Sequence, residues 1–353
     1  MTSSLSPPHA RQKLAHIQAL RGIAALLVVG HHLELQEPKF TSTPILPDIF
    51  NFGMAGVDLF FVISGFIMVY VTASWDHGSV QKSLSFLKAR ILRIYPLYWI
   101  ISAALFGLYL IWPEMVFSSR SEAPHIFKSF LLWPNTTEPL LLVGWTLIHE
   151  MGFYLVFALL LLGAAKFRVA GLIIWALIIL AANYTGLNKL GPITAIIFHP
   201  LSLEFIAGAI IGWIYMKRDI FNLRLLYGLV FAGLAFCIWQ YIGSTQELFF
   251  TDWSRVLYLT LPLSFLVLVM ALRDKLNINC PTPLTKLGDW SYSLYLTHVL
   301  SISLIGHLWT ALKLPDIPWL LLCVMAIACI IVAAISYYVI ENPLLRLSKK
   351  LRQ

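Results

Sequence analysis

The sequence predicts an all-α, polytopic integral membrane protein with about ten transmembrane helices and both termini in the cytoplasm. The first reason is composition: 59% of the 353 residues are hydrophobic and 12% are charged, whereas soluble domains carry about 25% charged residues. The second reason is a succession of apolar segments, each of which predicts one helix that crosses the bilayer. These segments lie near 17–33, 53–72, 94–112, 139–163, 169–183, 193–216, 225–242, 256–272, 291–311 and 317–340.

The distribution of Lys and Arg supports this number of helices. With the N-terminus inside and the side alternating, the inner connections hold 19 of the 25 Lys and Arg residues and the outer connections hold 6. Cytoplasmic loops of membrane proteins carry such an excess. A missed or invented helix would scramble the alternation, so the pattern favours ten spans. It also accounts for the net charge of +8 without nucleic acid.

The chain divides into a cytoplasmic N-terminal tail (1–16), a membrane domain (17–342) and a basic cytoplasmic C-terminal tail (343–353). No small-residue cleavage site follows the first apolar segment, so we expect that segment to remain as a helix. The four cysteines lack CxxC spacing, and they predict neither a disulfide framework nor a metal site. The longest outer loops, 34–52 and 113–138, either line a substrate entrance or are simple connectors.

The first apolar segment, IQALRGIAALLVVGHHL, has an arginine near its start and two histidines near its end. A helix turns about 100° and rises about 1.5 Å per residue, so Arg21 and His32 lie on one stripe, ~16 Å apart along the axis. His31 points elsewhere, which favours His32 as the partner of Arg21. Either this is a helix-end anchor with a structural histidine, or His32 is a functional group inside the membrane, as ionisable residues there often are.

The next two segments place charges at particular depths. Asp58 approaches the depth of His32, where a carboxylate can orient an imidazole, although capping of a helix end is an equal alternative. Arg90 and Arg93 precede the third segment and lie three residues apart, hence on one helical face. Such a pair suits phosphate groups. On charge alone, an anchor that contacts anionic lipids is the favoured interpretation.

The fourth segment, GWTLIHEMGFYLVF, places Glu150 near its middle, with His149 beside it and Tyr154 one turn further. A carboxylate in hydrocarbon is costly unless it is paired, hydrated or protonated, so we expect Glu150 to face a polar cavity. His149 lies about 100° away around the helix and cannot face the same cavity equally well. His298, inside the ninth segment, is a further polar group, and together these residues predict a wet internal cavity.

Six features of the sequence together resemble one known family. They are LRGIAALLVVGHH, GVDLFFVISGF, the RxxR before a proline and aromatic segment, WTLxxExxFY, SYSLYLTH and the closing ENP. Each is weak alone, but their order and spacing over about residues 14–345 resemble the membrane-bound acyltransferase family called type 3. The combination of IQALRGIAALLVV with GWTLxxEMxFYLxF is most similar to bacterial exopolysaccharide O-acetyltransferases.

The resemblance implies a ten-helix enzyme of the bacterial inner membrane. It would move an acyl group, usually acetyl, from coenzyme A to a hydroxyl of an exported polysaccharide or a lipid-linked sugar. By motif, the essential histidine of the family corresponds to His32 and its arginine to Arg21. The arginine pair of the family corresponds to Arg90 and Arg93, and its fourth-helix glutamate to Glu150.

From these residues we expect acetyl-CoA as the donor, with its phosphates at the arginine pair and its thioester arm passing Arg21 toward His32. His32, oriented by Asp58 or Glu150, would act as a general base on the acceptor hydroxyl or carry the acyl group transiently. No metal is expected. The candidate substrate or cavity residues are His149, which stands where relatives often have a second acidic residue, Tyr154 and His298.

The expected partners are acyl-CoA, the sugar acceptor, membrane lipids and proteins of polysaccharide assembly. Two other functions fit a polytopic chain with buried charges. One is a transporter or flippase of a glycan precursor, and the other is a non-catalytic member of a polysaccharide-assembly complex. The sequence has no detectable inverted repeat that would favour a transporter, and the arginine and histidine set fits acyl chemistry better.

Overall fold

A computed structural model describes residues 14–113, 122–217, 222–243 and 246–350. Over these ranges the chain is helical and has no strand, which confirms the all-α fold. Ten long helices in these ranges correspond to the ten apolar segments. They are α1 (Ala15–Gln36), α2 (Ala55–Thr72), α3 (Val80–Ile111), α4 (Gly144–Leu160), α5 (Ala165–Thr185), α6 (Ser202–Lys217), α7 (Leu223–Gly243), α8 (Asp252–Lys275), α9 (Thr282–Ala311) and α10 (Pro318–Ser336).

Over the described residues, eight helical segments are long and apolar enough to cross a membrane, and they include eight of these ten helices. Helix α6 has 16 residues and reaches this length only together with the short helix Pro192–Ile197 that precedes it, as the segment Pro192–Lys217. The other two are α1, in which Gln18, Arg21 and the histidine pair interrupt the apolar run, and α4, which has 17 residues. The chain is therefore a multi-pass membrane protein. The cytoplasmic location of both termini stays a prediction.

Helix α3 begins earlier than the sequence predicts. The apolar segment starts near residue 94, but the helix starts at Val80, where the Ser79 side chain caps it by accepting a backbone N–H at 3.3 Å. No proline or glycine lies between Val80 and Arg93, so nothing ends the helix before the apolar segment. Arg90 and Arg93 consequently lie within α3 and not in a loop.

The two predicted tails are described only in part. Most of the N-terminal tail (1–16) and the end of the C-terminal tail (343–353) lie outside the described residues. The rest of the C-terminal tail is helical, because α10 continues through a π-helical turn, Tyr337–Glu341, into a basic helix, Asn342–Lys350.

Successive long helices run in opposite directions, and we call the end at which α1 begins the base and the end at which it finishes the top. Glycines bring several backbones into contact. A Cβ on Gly288 of α9 would lie 1.8 Å from a carbonyl oxygen of α1, and one on Gly65 of α2 would lie 1.9 Å from the Phe205 carbonyl oxygen of α6. Membrane helices approach closely at such small residues. These contacts fix α1 against α9, and α2 against α6.

The base of α1 is held by a side chain from far along the chain. Asp274, near the end of α8, accepts the backbone N–H of His16 at 3.0 Å, and its carboxylate lies 2.8 Å from His16 Nδ1. The first N–H groups of a helix have no partner within the helix, and a carboxylate there is favourable. This contact therefore sets the position of the first turn of α1, and with it the height of Arg21.

Candidate active site

A cavity of about 330 Å³ lies between α1, α2, α3, α4 and α9. Its lining follows α2 from Val71 near the base to Val57 near the top, a rise of about 21 Å along the helix. Gln18 of α1 lines it near the base, and Thr146 of α4 lines it near the top. The cavity is thus a long channel that runs from the base into the middle of the bundle.

Five of the nine predicted site residues line this cavity. They are Arg21 of α1, Arg90 and Arg93 of α3, and Glu150 and Tyr154 of α4. The charged residues of the lining are three arginines and one glutamate, so the lining is predominantly positive. The residues come from three helices that are far apart in the sequence, and the fold brings them to one channel.

The three arginines of the cavity differ in their partners. Arg93 forms an ion pair with Glu341, whose other carboxylate oxygen accepts the Ser293 hydroxyl at 2.6 Å. Arg21 donates to its neighbour Gln18 at 3.3 Å, and Arg90 lies over aromatic rings. Across the described part of the chain, neither Arg21 nor Arg90 forms an ion pair. Their charges are the ones that a ligand in the cavity would meet.

Glu150 faces the cavity, as the cost of burying a carboxylate predicts. Its Oε1 accepts the Ser64 hydroxyl at 2.8 Å and also accepts the Tyr154 hydroxyl. These bonds hold the carboxylate in the wall between α2 and α4. His149, one residue earlier, lines a second and smaller pocket at the top of the bundle, so the two adjacent side chains point to different spaces.

His32 and His298 form a pair of rings near the top of the cavity. His298 Nδ1 lies 3.1 Å from the Leu294 carbonyl oxygen and 2.8 Å from that of Tyr295. A carbonyl oxygen can only accept, so this nitrogen carries the proton in the neutral ring. His298 Nε2 then presents its lone pair to His32 Nδ1 at 3.3 Å. The protein backbone thus fixes the tautomer of His298.

The same reasoning fixes the tautomer of His32. Its Nδ1 lies 3.0 Å from the Val28 carbonyl oxygen and faces the lone pair of His298. Both neighbours are acceptors, so Nδ1 carries the proton and Nε2 carries the lone pair. Nε2 has no hydrogen-bond partner among the described residues. His32 is therefore arranged as a base with one free nitrogen.

Tyr295 connects the cavity to this histidine pair. Its ring lines the cavity, and it lies one helical turn before His298, with the two ring centroids 5.9 Å apart. The Tyr295 hydroxyl lies 2.7 Å from the hydroxyl of Thr146, at the start of α4. The histidine pair consequently lies directly beyond the top of the channel. Sequence reasoning missed Tyr295, although it stands in the SYSLYLTH motif.

Asp58 is engaged elsewhere, and the expectation that it orients His32 needs correction. Both of its carboxylate oxygens accept from Arg255 of α8, at 2.9 Å from Nε and 3.1 Å from Nη2. The ring against His32 is His298 and not a carboxylate. The predicted eighth apolar segment begins near residue 256, directly after Arg255, but Thr251 caps α8 four residues before Arg255, which puts the arginine inside the helix.

Within the described ranges, no group of three or more His, Cys, Asp or Glu residues is arranged to hold a metal ion. The polar groups of the channel are guanidinium, hydroxyl, amide and carboxylate, and the two imidazoles of His32 and His298 lie beyond its top. They are suited to binding an anion and to moving a proton.

A family model described as an acyltransferase domain matches residues 14–340. The match spans nearly the whole chain, so the chain belongs to this acyltransferase family. It is an enzyme that transfers acyl groups, and the resemblance noted in the sequence is confirmed.

Curated relatives extend this result. The chain is 32% identical to the exopolysaccharide production protein ExoZ of Rhizobium meliloti (strain 1021) over 311 residues, which are 84% of this chain and 91% of that protein. It is 27% identical to Nodulation protein 10 of Rhizobium leguminosarum bv. viciae over 336 residues, 85% of this chain and 84% of that protein. ORF330 of Acidianus two-tailed virus, named as an acetyltransferase, is 26% identical over 306 residues, 82% and 84% of the two chains. No solved structure matches the chain.

Proposed function

We propose that this acyltransferase moves an acetyl group from acetyl-CoA to a hydroxyl of an exopolysaccharide or lipid-linked sugar in the bacterial inner membrane. The acceptor class is supported by the relative named for exopolysaccharide production. The acetyl group is supported by the relative named as an acetyltransferase. Membership of an acyltransferase family supports the reaction type.

The observation that carries the proposal is the arginine-lined channel that leads to His32 and His298. Coenzyme A is an anionic molecule with a long, thin arm that ends in the thioester. Guanidinium groups bind phosphates through paired hydrogen bonds, and Arg21 and Arg90 have charge free for this purpose. The phosphates would lie in the arginine-lined part of the channel, and the arm would run upward along α2 toward Tyr295.

The tautomers define the proton path in the proposed reaction. His32 Nε2 takes the proton of the acceptor hydroxyl while the hydroxyl oxygen forms a bond to the thioester carbon. The carbon–sulfur bond breaks, and the departing thiolate recovers the proton from His32 Nε2. His298 Nε2 accepts from His32 Nδ1 throughout, which stabilises the positive ring between the two transfers. No net proton is gained or lost, so His32 returns to its starting state.

Replacing His32 with Ala tests the proposal. General base catalysis contributes about 10²–10⁴-fold in rate, so transfer of a radiolabelled acetyl group from acetyl-CoA to glycan should fall by that factor at an unchanged protein level. His31→Ala is the matched control, because it removes the adjacent imidazole and leaves the pair with His298. Near-normal activity of His32→Ala, or equal losses in the two variants, would contradict the role of His32.

A further inference from the structure

The first turns of α4 separate two spaces. Thr146, Leu147 and Glu150 line the channel described above. Trp145 and His149, on the other side of the same helix, line a second pocket of about 230 Å³ at the top of the bundle. The segment 134–139, which precedes α4, forms the other side of this pocket. The proposed reaction leaves the second pocket without a role.

The lining of the top pocket combines one large aromatic surface with several hydroxyl-binding groups. Trp145 is partly exposed and contributes its indole, and Glu138 contributes a carboxylate. Asn135 is held in place, because its amide donates to Thr137 at 2.6 Å and its oxygen accepts from Lys128 at 2.9 Å. Small-molecule sites typically pair an aromatic surface with a few fixed polar groups in this way.

His149 supplies an independent observation. It is only 7% exposed, and its Nδ1 has no hydrogen-bond partner in the described structure. Its ring lies edge-on to Trp145, with centroids 5.7 Å apart, and against His199 at 4.3 Å. His199 itself is held by Asp252, with 3.3 Å from Nε2 to the carboxylate. Buried polar groups normally have partners, so an unpartnered imidazole beside a pocket points to a ligand.

We propose that the top pocket binds a sugar ring of the acceptor glycan. A pyranose has an apolar face of C–H groups that fits the indole of Trp145, and a rim of hydroxyls. Those hydroxyls both donate and accept, which matches Glu138, Thr137 and the His149 imidazole. The assignment of this sugar as the acceptor rests on the proposed function; the binding of a sugar here does not.

The position of the pocket fits that assignment. Trp145 is adjacent in the chain to Thr146, whose hydroxyl contacts Tyr295 at the top of the channel. Tyr295 in turn leads to His298 and His32. A sugar in the top pocket is therefore separated from the end of the donor channel by one turn of α4. Donor and acceptor would approach the histidine pair from opposite ends of the bundle.

Saturation-transfer difference NMR on the purified full-length protein tests sugar binding directly. The probes are methyl β-D-glucoside and methyl β-D-galactoside, with no acyl-CoA present. Trp145→Ala should raise the Kd of the bound glycoside roughly tenfold, which corresponds to about 1.4 kcal/mol. Glu138→Gln, which keeps the shape of the side chain, should weaken binding to a smaller extent. Trp133→Ala is the matched control, since Trp133 is an exposed neighbour outside the pocket.

Loss of binding in Trp145→Ala with retention in Trp133→Ala would support the pocket, even if acetyl transfer were absent in the wild type. In transfer assays with acetyl-CoA as the donor, Trp145→Ala should raise the KM for the glycan and leave the KM for acetyl-CoA unchanged. Equal binding by the wild type and Trp145→Ala, or no binding of either glycoside by folded wild-type protein, would overturn the proposal.

Discussion

Arg255 and the two channel arginines, Arg21 and Arg90, differ in their surroundings: Arg255 is buried, whereas Arg21 and Arg90 are partly exposed. Arg255, at the top, has a side chain that is 3% exposed, and two of its nitrogens donate to Asp58, which is itself fully buried. Arg21 and Arg90, in the channel, form no ion pair in the described ranges and line an open space. A buried charge is costly without a partner. Arg255 therefore holds α8 to α2, and the lack of such a partner at Arg21 and Arg90 supports the proposal that they bind a charged ligand.

Arg93 lies between these two situations. It lines the channel beside Arg90, but Glu341 already satisfies its charge and joins it to the end of α10. The RxxR spacing suggests two equivalent phosphate-binding groups, and the structure makes them unequal. An arginine that already has an ion-pair partner, such as Arg93, holds helices together. An arginine without one, such as Arg90, is available to a ligand, although both belong to the same motif.

Asp58→Asn should have the largest effect on stability. It removes the carboxylate that accepts both hydrogen bonds of the buried Arg255, and breaking a buried pair in this way costs about 3–5 kcal/mol. We expect a large fall in the thermal unfolding temperature of the detergent-solubilised protein and a lower level in membranes. The double variant Asp58→Asn with Arg255→Met should regain part of the loss, because it removes the arginine that has lost this carboxylate. Unchanged stability with lost activity would instead return Asp58 to the role of orienting His32.

Arg21→Gln and Arg90→Gln, in contrast to Asp58→Asn, should affect donor binding and not stability. Each removes a charged hydrogen bond to the donor, worth about 1.5–3 kcal/mol, so the KM for acetyl-CoA should rise roughly tenfold or more. The unfolding temperature should stay close to that of the wild type, because no ion pair within the described structure is broken. Arg93→Gln is the comparison variant: it should lose stability, since Glu341 is left buried and unpaired. An unchanged KM in both Arg21→Gln and Arg90→Gln would rule out the donor site.

Much of the fold follows from local properties of the sequence. Apolar length and the placement of Lys and Arg predict the helices, and helical periodicity predicts that Arg21 and His32 share a stripe and that Glu150 and His149 diverge. Periodicity states which face a residue occupies but not which neighbour it meets. The pairs Asp58–Arg255 and His16–Asp274 join residues far apart in the chain, and nothing in the local pattern links them.

The histidine pair illustrates the same limit at the candidate active site. His298 is recognisable in the sequence as a polar residue inside an apolar segment, but its contact with His32 depends on the close approach of α1 and α9 at Gly22 and Gly288. The predicted start of α3 is wrong for a different reason. A cap at Ser79 extends the helix into a polar stretch where hydropathy alone places a loop.

His298→Ala should reduce kcat by roughly tenfold, equivalent to about 1.4 kcal/mol, and leave both KM values nearly unchanged. The variant removes one of the two acceptors of His32 Nδ1, while the Val28 carbonyl remains to hold the tautomer. The loss should therefore be smaller than in His32→Ala. His298→Gln is the control, because its side-chain oxygen can replace the missing acceptor and should restore part of the rate. Equal losses in His298→Ala and His298→Gln would indicate a packing role for this ring.

Asp274→Ala should have the smallest effect on stability and activity. It tests whether the Asp274 carboxylate at the base, which contacts His16, affects only the structure of α1. Loss of a helix N-cap costs about 0.5–2 kcal/mol, so the unfolding temperature should fall slightly and hydrogen exchange of the His16 amide should become faster. Asp289→Ala is the matched control, since Asp289 contacts α1 only through the Gln18 side chain at 3.1 Å in the described structure and leaves the backbone N–H groups capped. Arg21 lies little more than one turn above this cap. A modest rise in the KM for acetyl-CoA should therefore accompany the faster exchange. Faster exchange with unchanged donor affinity would show that the first turn of α1 can loosen without moving Arg21.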